Sequence, residues 1–394
     1  PGAGTPNLQL PTPNKRPKFL GVGSWDLGVG SYDDIVIHRA VVLAVALAAL
    51  VAAVSVVAVE VRQEREFRRL IAVGDAALAQ GQTFVAVEAF SGALVYKPDS
   101  MLGHLERGDA YRRRGEFTAA LRDLREAARL DATAPQPLER LGDVHLALNQ
   151  HKEAADSYVR CLQLDDRAAG VLYKLGLAYV RQEQPANAIL PLTRAVAIDE
   201  RFAEAHYLLG MSLRTLRRND EALRSLTAAI TLDAGFIAAR EERAALYADS
   251  GRTRESLEEI EAIAALEPGR PERLISLALA YARLGRRDTA VLTLGRPAER
   301  HPDAPAVHAA LGRVWLDSAA SADDAVALAK AIEALQPVAG RDEATSEILA
   351  LYGRALLESG KPRDAERVLL QAVRRSPVDP LAYPYLADAA RRLR

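Results

Sequence analysis

The residue types that most often carry out chemistry are few and scattered in this sequence. Cys161 is the only cysteine among 394 residues, so neither an intrachain disulfide nor a cysteine-rich zinc site is expected. The histidines lie far apart, and none has the HExxH spacing that binds zinc on a helix. They are His38, His104, His145, His151, His206, His301 and His308. We find no GxSxG or GxxxxGK[ST] motif, and the glycine-rich residues 20–30 follow no predicted strand. The sequence therefore predicts no catalytic, metal or cofactor site, and no enzyme.

Composition also excludes a class of partner. The formal net charge is -1, and 26% of the residues are charged. Nucleic-acid binding requires a concentrated basic surface, which this balance does not provide. We therefore expect no nucleic-acid partner and look for elements that bind proteins or membranes.

Residues 1–39 are rich in proline and glycine and show little apolar periodicity, which predicts a flexible tail. Within it, LGVGSWD at residues 20–26 is followed directly by LGVGSYD at residues 27–33. Each copy ends in an aromatic residue and an acid, so Trp25 and Tyr32 are candidate anchors for a partner's pocket. The alternative is a glycine-rich linker whose aromatic residues lie at a membrane interface.

Residues 40–59 contain no charged side chain and consist of alanine, valine, leucine and Ser55. As a helix they reach about 30 Å, the thickness of the hydrocarbon core of a bilayer. Arg39 and Glu60 border the segment. A cleaved signal peptide has a shorter apolar core, and the other alternative is a buried helix of a soluble protein. We predict one transmembrane helix.

The rest of the chain repeats with a period of 34 residues. A small residue recurs at Gly74, Gly108, Gly142, Gly176, Gly210, Ala244, Ala278 and Gly312. A second small residue follows 12 positions later at Ala86, Ala120, Ala154, Ala188, Ala222, Ser256 and Ala290. Two helices that cross closely need small residues at the crossing, and a turn containing Gly81, Gly115, Gly251 or Gly285 separates the two positions. The pattern predicts a stack of helical hairpins.

This pattern resembles the tetratricopeptide repeat, and the first unit matches it with Gly74, Ala86, Phe90, Ala93 and Pro98. The resemblance implies an all-α, right-handed helical-hairpin solenoid of about nine repeats over residues 60–377. Residues 378–394 then form a capping helix. In the eighth unit the register is expected to slip by one residue, with Ala325 at the second small position. Pro191 and Pro297 are expected to bend or end the helices that contain them.

By the same resemblance, the first helix of each unit lines a concave inner wall that binds protein or peptide partners. The candidate groove residues are Asp75, Leu105, Asp109, Glu139, Asp143, Tyr173, Leu177, Tyr207, Met211 and Arg214. The early units are acidic and the middle units apolar and aromatic, which favours a peptide with a basic end and an apolar middle. Asp109 and Asp143 would repel the C-terminal carboxylate bound by the chaperone cofactors of this family. The alternative is that the partner binds the convex face or the cap.

Two functions are compatible with these observations. The chain is a docking scaffold that tethers partners to a membrane, or it is a permanent subunit of a larger membrane complex. Arg62, Arg65, Arg68 and Arg69 follow the span and favour cytoplasmic repeats, whereas the short tail carries Lys15, Arg16 and Lys18. Alanine- and arginine-rich usage favours a bacterial protein. We expect a single-pass inner-membrane protein with extracytoplasmic repeats.

Overall fold

The computed structural model describes residues 32–300, 304–322 and 324–394, and over these residues the chain forms nineteen α-helices and no strand. They are α1 (Tyr32–Ala79), α2 (Thr83–Tyr96), α3 (Met101–Arg114), α4 (Phe117–Leu130), α5 (Pro135–Ala147), α6 (His151–Leu164), α7 (Ala169–Arg181), α8 (Pro185–Ile198), α9 (Ala203–Thr215), α10 (Asn219–Leu232), α11 (Ile237–Asp249), α12 (Thr253–Leu266), α13 (Pro271–Arg283), α14 (Arg287–Arg300), α15 (Pro305–Ala322), α16 (Ala325–Ala339), α17 (Ser346–Glu358), α18 (Pro362–Ala372) and α19 (Ala382–Arg392).

Consecutive helices pair into nine hairpins, from α1/α2 to α17/α18. The second helix of each hairpin packs on the first helix of the next, and first helices of several neighbouring units also touch. The predicted all-α hairpin solenoid is thereby confirmed. The helix α19 packs on α17 and α18, and buries Ala382 and Ala389 against the last hairpin.

The recurrent glycines lie where the two helices of a hairpin cross. A Cβ atom added to Gly176 would lie 2.5 Å from Cγ of Leu192, far inside van der Waals contact. The same contact recurs in Gly74–Phe90, Gly108–Leu124, Gly142–Tyr158, Gly210–Leu226 and Gly353–Leu369. The second small residue of the repeat also lies in the crossing, since Ala188 and its equivalents are buried. The predicted close crossings are therefore present.

In eight of the nine hairpins, the described turn residues include one with a left-handed backbone, whether or not that residue is glycine. Gly81, Gly115, Gly251 and Gly285 have φ between 72° and 80°. At the same place in the third, fourth and fifth units stand Asn149, Glu183 and Arg217, with φ of 57°, 58° and 61°. A side chain with a Cβ atom is strained in this region, by about 1–2 kcal/mol for most residues. The hairpin geometry thus overrides local preference in these units.

The eighth unit differs from the expected one-residue slip. Gly312 lies against Leu335, 23 positions later, whereas in the other glycine units the partner comes 16 positions later. The first helix of this unit, α15, is 18 residues long instead of the usual 13 or 14. The second small position is consequently Ala331, which is fully buried, and Ala325 is exposed. The prediction for Ala325 was wrong because this alanine-rich stretch offers several small residues in different registers.

Of the two outcomes expected at Pro191 and Pro297, a bend or an end of the helix, the structure excludes the second. The helices α8 and α14 continue past these prolines to Ile198 and Arg300.

One further expectation needs correction. The tail predicted for residues 1–39 is helical from Tyr32 onward, and α1 runs without interruption through residues 40–59 into the first repeat. No proline or glycine interrupts this stretch before Gly74, and i,i+4 and i,i+3 ion pairs such as Arg68–Glu64 and Arg69–Glu66 support it.

Candidate functional site

The predicted groove residues lie on or beside the first helices, but their exposure differs. Asp75 is exposed, and Leu105 is buried in the core. Asp109 is only 4% exposed. Its carboxylate accepts hydrogen bonds from Nε of Arg112 and of Arg113, each at 2.8 Å, and Arg140 of the next unit lies 3.8 Å away. Asp109 therefore holds three arginines in place instead of presenting a free charge.

Glu139 and Asp143 are likewise occupied. Lys174 of the following unit donates to Glu139 at 2.7 Å and lies 2.8 Å from Oδ1 of Asp143. The hydroxyl of the buried Tyr158 donates to Asp143 at 2.9 Å. Burial, and then the neighbouring Asp143, raise the pKa of Tyr158 above its ordinary value, so the phenol stays protonated. Three of the four predicted acids thus join neighbouring units.

Among the described residues of the wall in the first two units, two acids have no ion pair, namely Asp75 and the half-buried Glu106 on the next first helix. Burial raises the pKa of Asp75. Burial, followed by repulsion from Asp75 and Asp109, raises the pKa of Glu106. Sequence reasoning missed Glu106 because it lies one position beyond the wall position occupied by Leu105. The first two units of the wall therefore carry two unpaired acids.

Glu106→Gln is expected to raise the free energy of unfolding at neutral pH. The pKa of Glu106 is raised in the folded state, so its ionisation disfavours folding at a pH above both the folded and the unfolded pKa. The advantage of the glutamine should vanish as the pH falls below the ordinary value of 4.5, where both states are protonated. Urea unfolding of both proteins at several pH values measures this. An advantage that grows at low pH would contradict the assignment.

The apolar part of the predicted groove is brought together on α7 and α9. Tyr173, Leu177, Tyr207 and Met211 are all half-buried and pack on one core cluster. The ring of Tyr173 lies 4.9 Å from that of Phe202, and Tyr207 lies 5.0 Å from Phe236. We call this surface the apolar patch; it comprises Tyr173, Leu177, Phe202, Tyr207, Met211 and Phe236.

Sequence reasoning did not select Phe202 and Phe236. Each directly precedes the first helix of its unit and stands 29 residues after its tyrosine partner. That shared spacing is a signal by which the two pairs could have been found. Tilted aromatic pairs of this kind stabilise packing beyond the area that they bury. The apolar patch is therefore held in place by contacts between units.

Arg214 lies at one side of the apolar patch and is also paired. Its guanidinium donates to Glu242 at 2.6 Å and to Asp249 at 3.3 Å on the next first helix. Farther along, Arg273 pairs with Glu241, and Arg313 pairs with Glu347. Ion pairs between successive first helices thus recur along the wall on both sides of the apolar patch.

Two buried ion pairs were not anticipated. Asp123 accepts from Arg107 at 2.6 and 2.9 Å, and Glu259 lies 3.0 Å from Arg240 and also pairs with Arg243. Both acids are less than 7% exposed. They occupy equivalent positions in the second and sixth units. The three units between them carry serine or proline at that position. These pairs join the two helices of one hairpin and have a structural role.

Cys161 and four of the histidines are engaged in contacts within the fold. Burial raises the pKa of the Cys161 thiol to about 11, so this cysteine is kept protonated in the core. His104, His145, His206 and His308 are within hydrogen-bonding distance of backbone carbonyls or neighbouring polar side chains. Among the described residues no three histidine, cysteine or acidic side chains converge in a way that could hold a metal ion.

The tail candidates are not placed by the structure. Trp25 lies outside the described residues, as does most of the tandem heptad. Tyr32 is the first residue of α1. Their role as partner anchors stays a prediction.

Comparison with known proteins agrees with the repeat geometry. The family model described as tetratricopeptide repeat matches residues 71–135, 139–205, 173–235 and 352–394, more than half of the chain. A second model of this repeat matches residues 247–314. The chain belongs to the tetratricopeptide-repeat family, whose members generally mediate protein–protein interactions and are typically not enzymes. No curated protein matches the sequence.

Several solved structures share the fold in part. YrrB, described as a tetratricopeptide-repeat protein with an unusual peptide-binding site, is 27% identical, with a TM-score of 0.44 over 48% of this chain and 98% of its own. MamA from Desulfovibrio magneticus RS-1 is 23% identical, with a TM-score of 0.41 over 43% and 95%. A tetratricopeptide-repeat protein from Parabacteroides merdae ATCC 43184 is 15% identical, with a TM-score of 0.43 over 83% and 99%.

Proposed function

We propose that this protein is a membrane-tethered scaffold that binds a protein or peptide partner through the apolar patch on its inner wall. The observation that carries the proposal is the apolar patch itself. Its half-buried side chains, among them Tyr173, Tyr207 and Met211, pack on a buried core cluster, and Lys174 and Arg214 beside them are paired with acids. Aromatic and methionine side chains held in this way are typical anchors of binding surfaces.

The preferred partner is an apolar or aromatic segment with a basic end. The basic end is favoured by Asp75 and Glu106, which lie three and two units before the apolar patch and whose unpaired carboxylates a cation would stabilise. Asp109, Glu139 and Asp143 are already paired with bases, so the preference for a basic end is weaker than it would be if all four predicted acids were free.

The tether is the apolar segment of α1. This is the one helix among the described residues that is long and apolar enough to cross a membrane. None of its apolar stretch is buried against the rest of the chain, unlike the core helix of a soluble protein. Leu43, for example, is 70% exposed. Such a surface is costly in water and favourable in hydrocarbon.

We further propose that the protein lies in a bacterial inner membrane with extracytoplasmic repeats. Basic residues of the tail favour this orientation, and the arginines that follow the span oppose it. Protease added to intact spheroplasts should digest the repeats if the proposal is right, and should leave them intact if they are cytoplasmic.

Photo-cross-linking from the apolar patch tests the binding function. A photoreactive amino acid at Met211 should trap a partner in native membranes, whereas one at Tyr383, an exposed residue of α19, should not. Once the partner is identified, Tyr207→Ala should speed its dissociation from the non-cross-linked complex by about 5- to 150-fold, since an anchor residue contributes about 1–3 kcal/mol. Tyr383→Ala is the matched control.

The result also separates the alternatives. Equal cross-linking from both positions, or a Tyr207→Ala protein that remains folded and binds unchanged, would remove the apolar patch as the site. A partner that copurifies in fixed stoichiometry through detergent extraction and native mass measurement would favour a permanent subunit over a docking scaffold. In that case, the position that cross-links identifies which surface of this protein contacts the neighbouring subunit.

Removal of residues 1–59 should release the protein from membranes. The hairpins bury their core without the span, so the shortened chain is expected to be helical and to stay in the supernatant after a carbonate wash. Far-ultraviolet circular dichroism and sedimentation measure both properties. If the shortened chain still sediments with membranes, the span is not the principal anchor.

A further inference from the structure

One edge of the first repeat is held next to the end of the apolar segment. The helix α2 returns antiparallel to α1, and Lys97, directly after α2, pairs with Glu64 and lies 5.2 Å from the ring of Phe67. Glu64 is five residues past the apolar run, which is about 7.5 Å along a helix. The headgroup layer of a bilayer is about 5–8 Å thick on each side. The loop after α2 therefore lies near headgroup depth if α1 spans a membrane.

The residues of this edge differ from those at the same register of later units. Lys97 stands where the next five units carry an acid: Asp131, Asp165, Asp199, Asp233 and Glu267. Val95 is 76% exposed, where the later units have Arg129, Gln163, Ala197, Thr231 and Ala265. Leu102 is 41% exposed, where they have Gln136, Gly170, Glu204, Ala238 and Glu272. Of the six junctions between units compared here, only the one beside the apolar segment combines two exposed apolar side chains with a base.

The charges of α1 complete this edge. Arg62 and Arg65 are exposed and have no ion-pair partner among the residues that the structure describes. Glu64 and Glu66 are neutralised by pairs with Arg68 and Arg69. Glu60 and Asp99 are the acids that remain beside this edge. An apolar rim with arginines and a lysine around it is the composition that lies in a membrane interface.

We propose that this first-repeat edge, formed by Val95, Lys97, Leu102, Arg62 and Arg65, rests on the bilayer and binds anionic phospholipid headgroups. Val95 and Leu102 enter the boundary between headgroups and acyl chains, and the cations lie at the phosphates. The proposal rests on the proposed membrane span, because α1 brings the edge to that depth. It adds a second contact, which holds the base of the solenoid down on the lipid surface.

Fluorescence quenching in vesicles tests the contact with the full chain. A fluorophore is attached at Asp99→Cys in a Cys161→Ala background, which removes the buried native thiol. The matched control is Arg201→Cys, at the same register position three units farther along. Vesicles contain a headgroup-nitroxide lipid with either phosphatidylcholine alone or added phosphatidylglycerol. Quenching is expected at position 99 but not at 201, and more strongly with phosphatidylglycerol.

A register-swap variant separates binding from mere proximity. Val95→Arg, Lys97→Asp and Leu102→Glu install residue types that later units already carry at these positions, so folding should persist, which a melting curve verifies. This variant should lose the quenching at position 99. Unchanged quenching in the variant, or equal quenching in both lipids, would overturn the proposal. A carbonate wash of the same vesicles reports on the span. Protein that stays embedded but shows no quenching at position 99 would contradict only this inference. Protein that the wash extracts would contradict the span itself.

Discussion

Gly176→Leu is expected to lower the free energy of unfolding by about 1–3 kcal/mol or more. The first added carbon would already lie 2.5 Å from Cγ and 2.6 Å from Cδ2 of Leu192, and three more carbons follow. Leu192 is fully buried and cannot move aside, so α7 and α8 must separate. Urea unfolding followed by circular dichroism measures the loss.

Gly170→Leu provides a control within the same helix. Nothing lies within 4 Å of a Cβ atom at Gly170, and the residue is exposed. Its substitution should change stability by no more than about 0.5 kcal/mol. In addition, Leu192→Ala should recover part of the loss caused by Gly176→Leu, since it vacates the space that the new side chain needs. Equal losses at positions 170 and 176 would contradict the crossing.

Asp109→Lys is expected to cost about 3 kcal/mol or more. The substitution leaves Arg112, Arg113 and Arg140 without their acceptor and adds a fourth cation to a site that is 4% exposed. Asp75→Lys makes the same change at the same register of the preceding unit, where the side chain is exposed. That variant should stay within about 0.5 kcal/mol of the natural protein. Urea unfolding at neutral pH compares the two.

The pH dependence provides an independent reading of Asp109. Burial alone would raise its pKa, but Arg112, Arg113 and Arg140 together bring the pKa below the ordinary value of 3.8. A depressed pKa means that the stabilisation is present above 3.8 and is lost as the pH falls through the folded-state pKa. The difference between the natural protein and Asp109→Lys should therefore shrink in strong acid. The buried lysine cation remains in acid, so part of the difference should persist; a difference that does not shrink at all would show that lost pairing does not contribute to the effect.

The fold could be predicted because its constraints are periodic. A residue such as Gly176 must be small for a geometric reason that returns every 34 positions, so spacing alone locates the crossing. The eighth unit escaped because small residues do not mark a register when most neighbours are also alanine. Ala325 and Ala331 differ in burial because α15 is longer than the other first helices. No residue near the end of α15 indicates this extra length in the sequence.

The candidate site was harder to predict because its electrostatics depend on pairs between units. Asp143 is acidic in sequence, yet Lys174, 31 residues later, neutralises it from the adjacent helix. Arg140 stands in the same relation to Asp109. Opposite charges separated by nearly one repeat length are a signal that could have indicated this pairing. The apolar patch was found because Tyr173 and Tyr207 have the same register and are not altered by their neighbours' charges.

If α1 spans a membrane as proposed, its continuity sets the rotational phase of the repeats about the membrane normal. Each residue of an α-helix turns the chain by about 100°, so the number of residues between the apolar segment and Phe67 determines which way the apolar patch points. One residue inserted after Val59 would swing the whole array by about 100°, whereas seven would restore its azimuth to within about 20°. In the proposed arrangement, the number of residues between the span and the first repeat therefore sets the direction in which the inner wall faces. That direction determines whether a partner in the same bilayer meets the inner wall or the convex face.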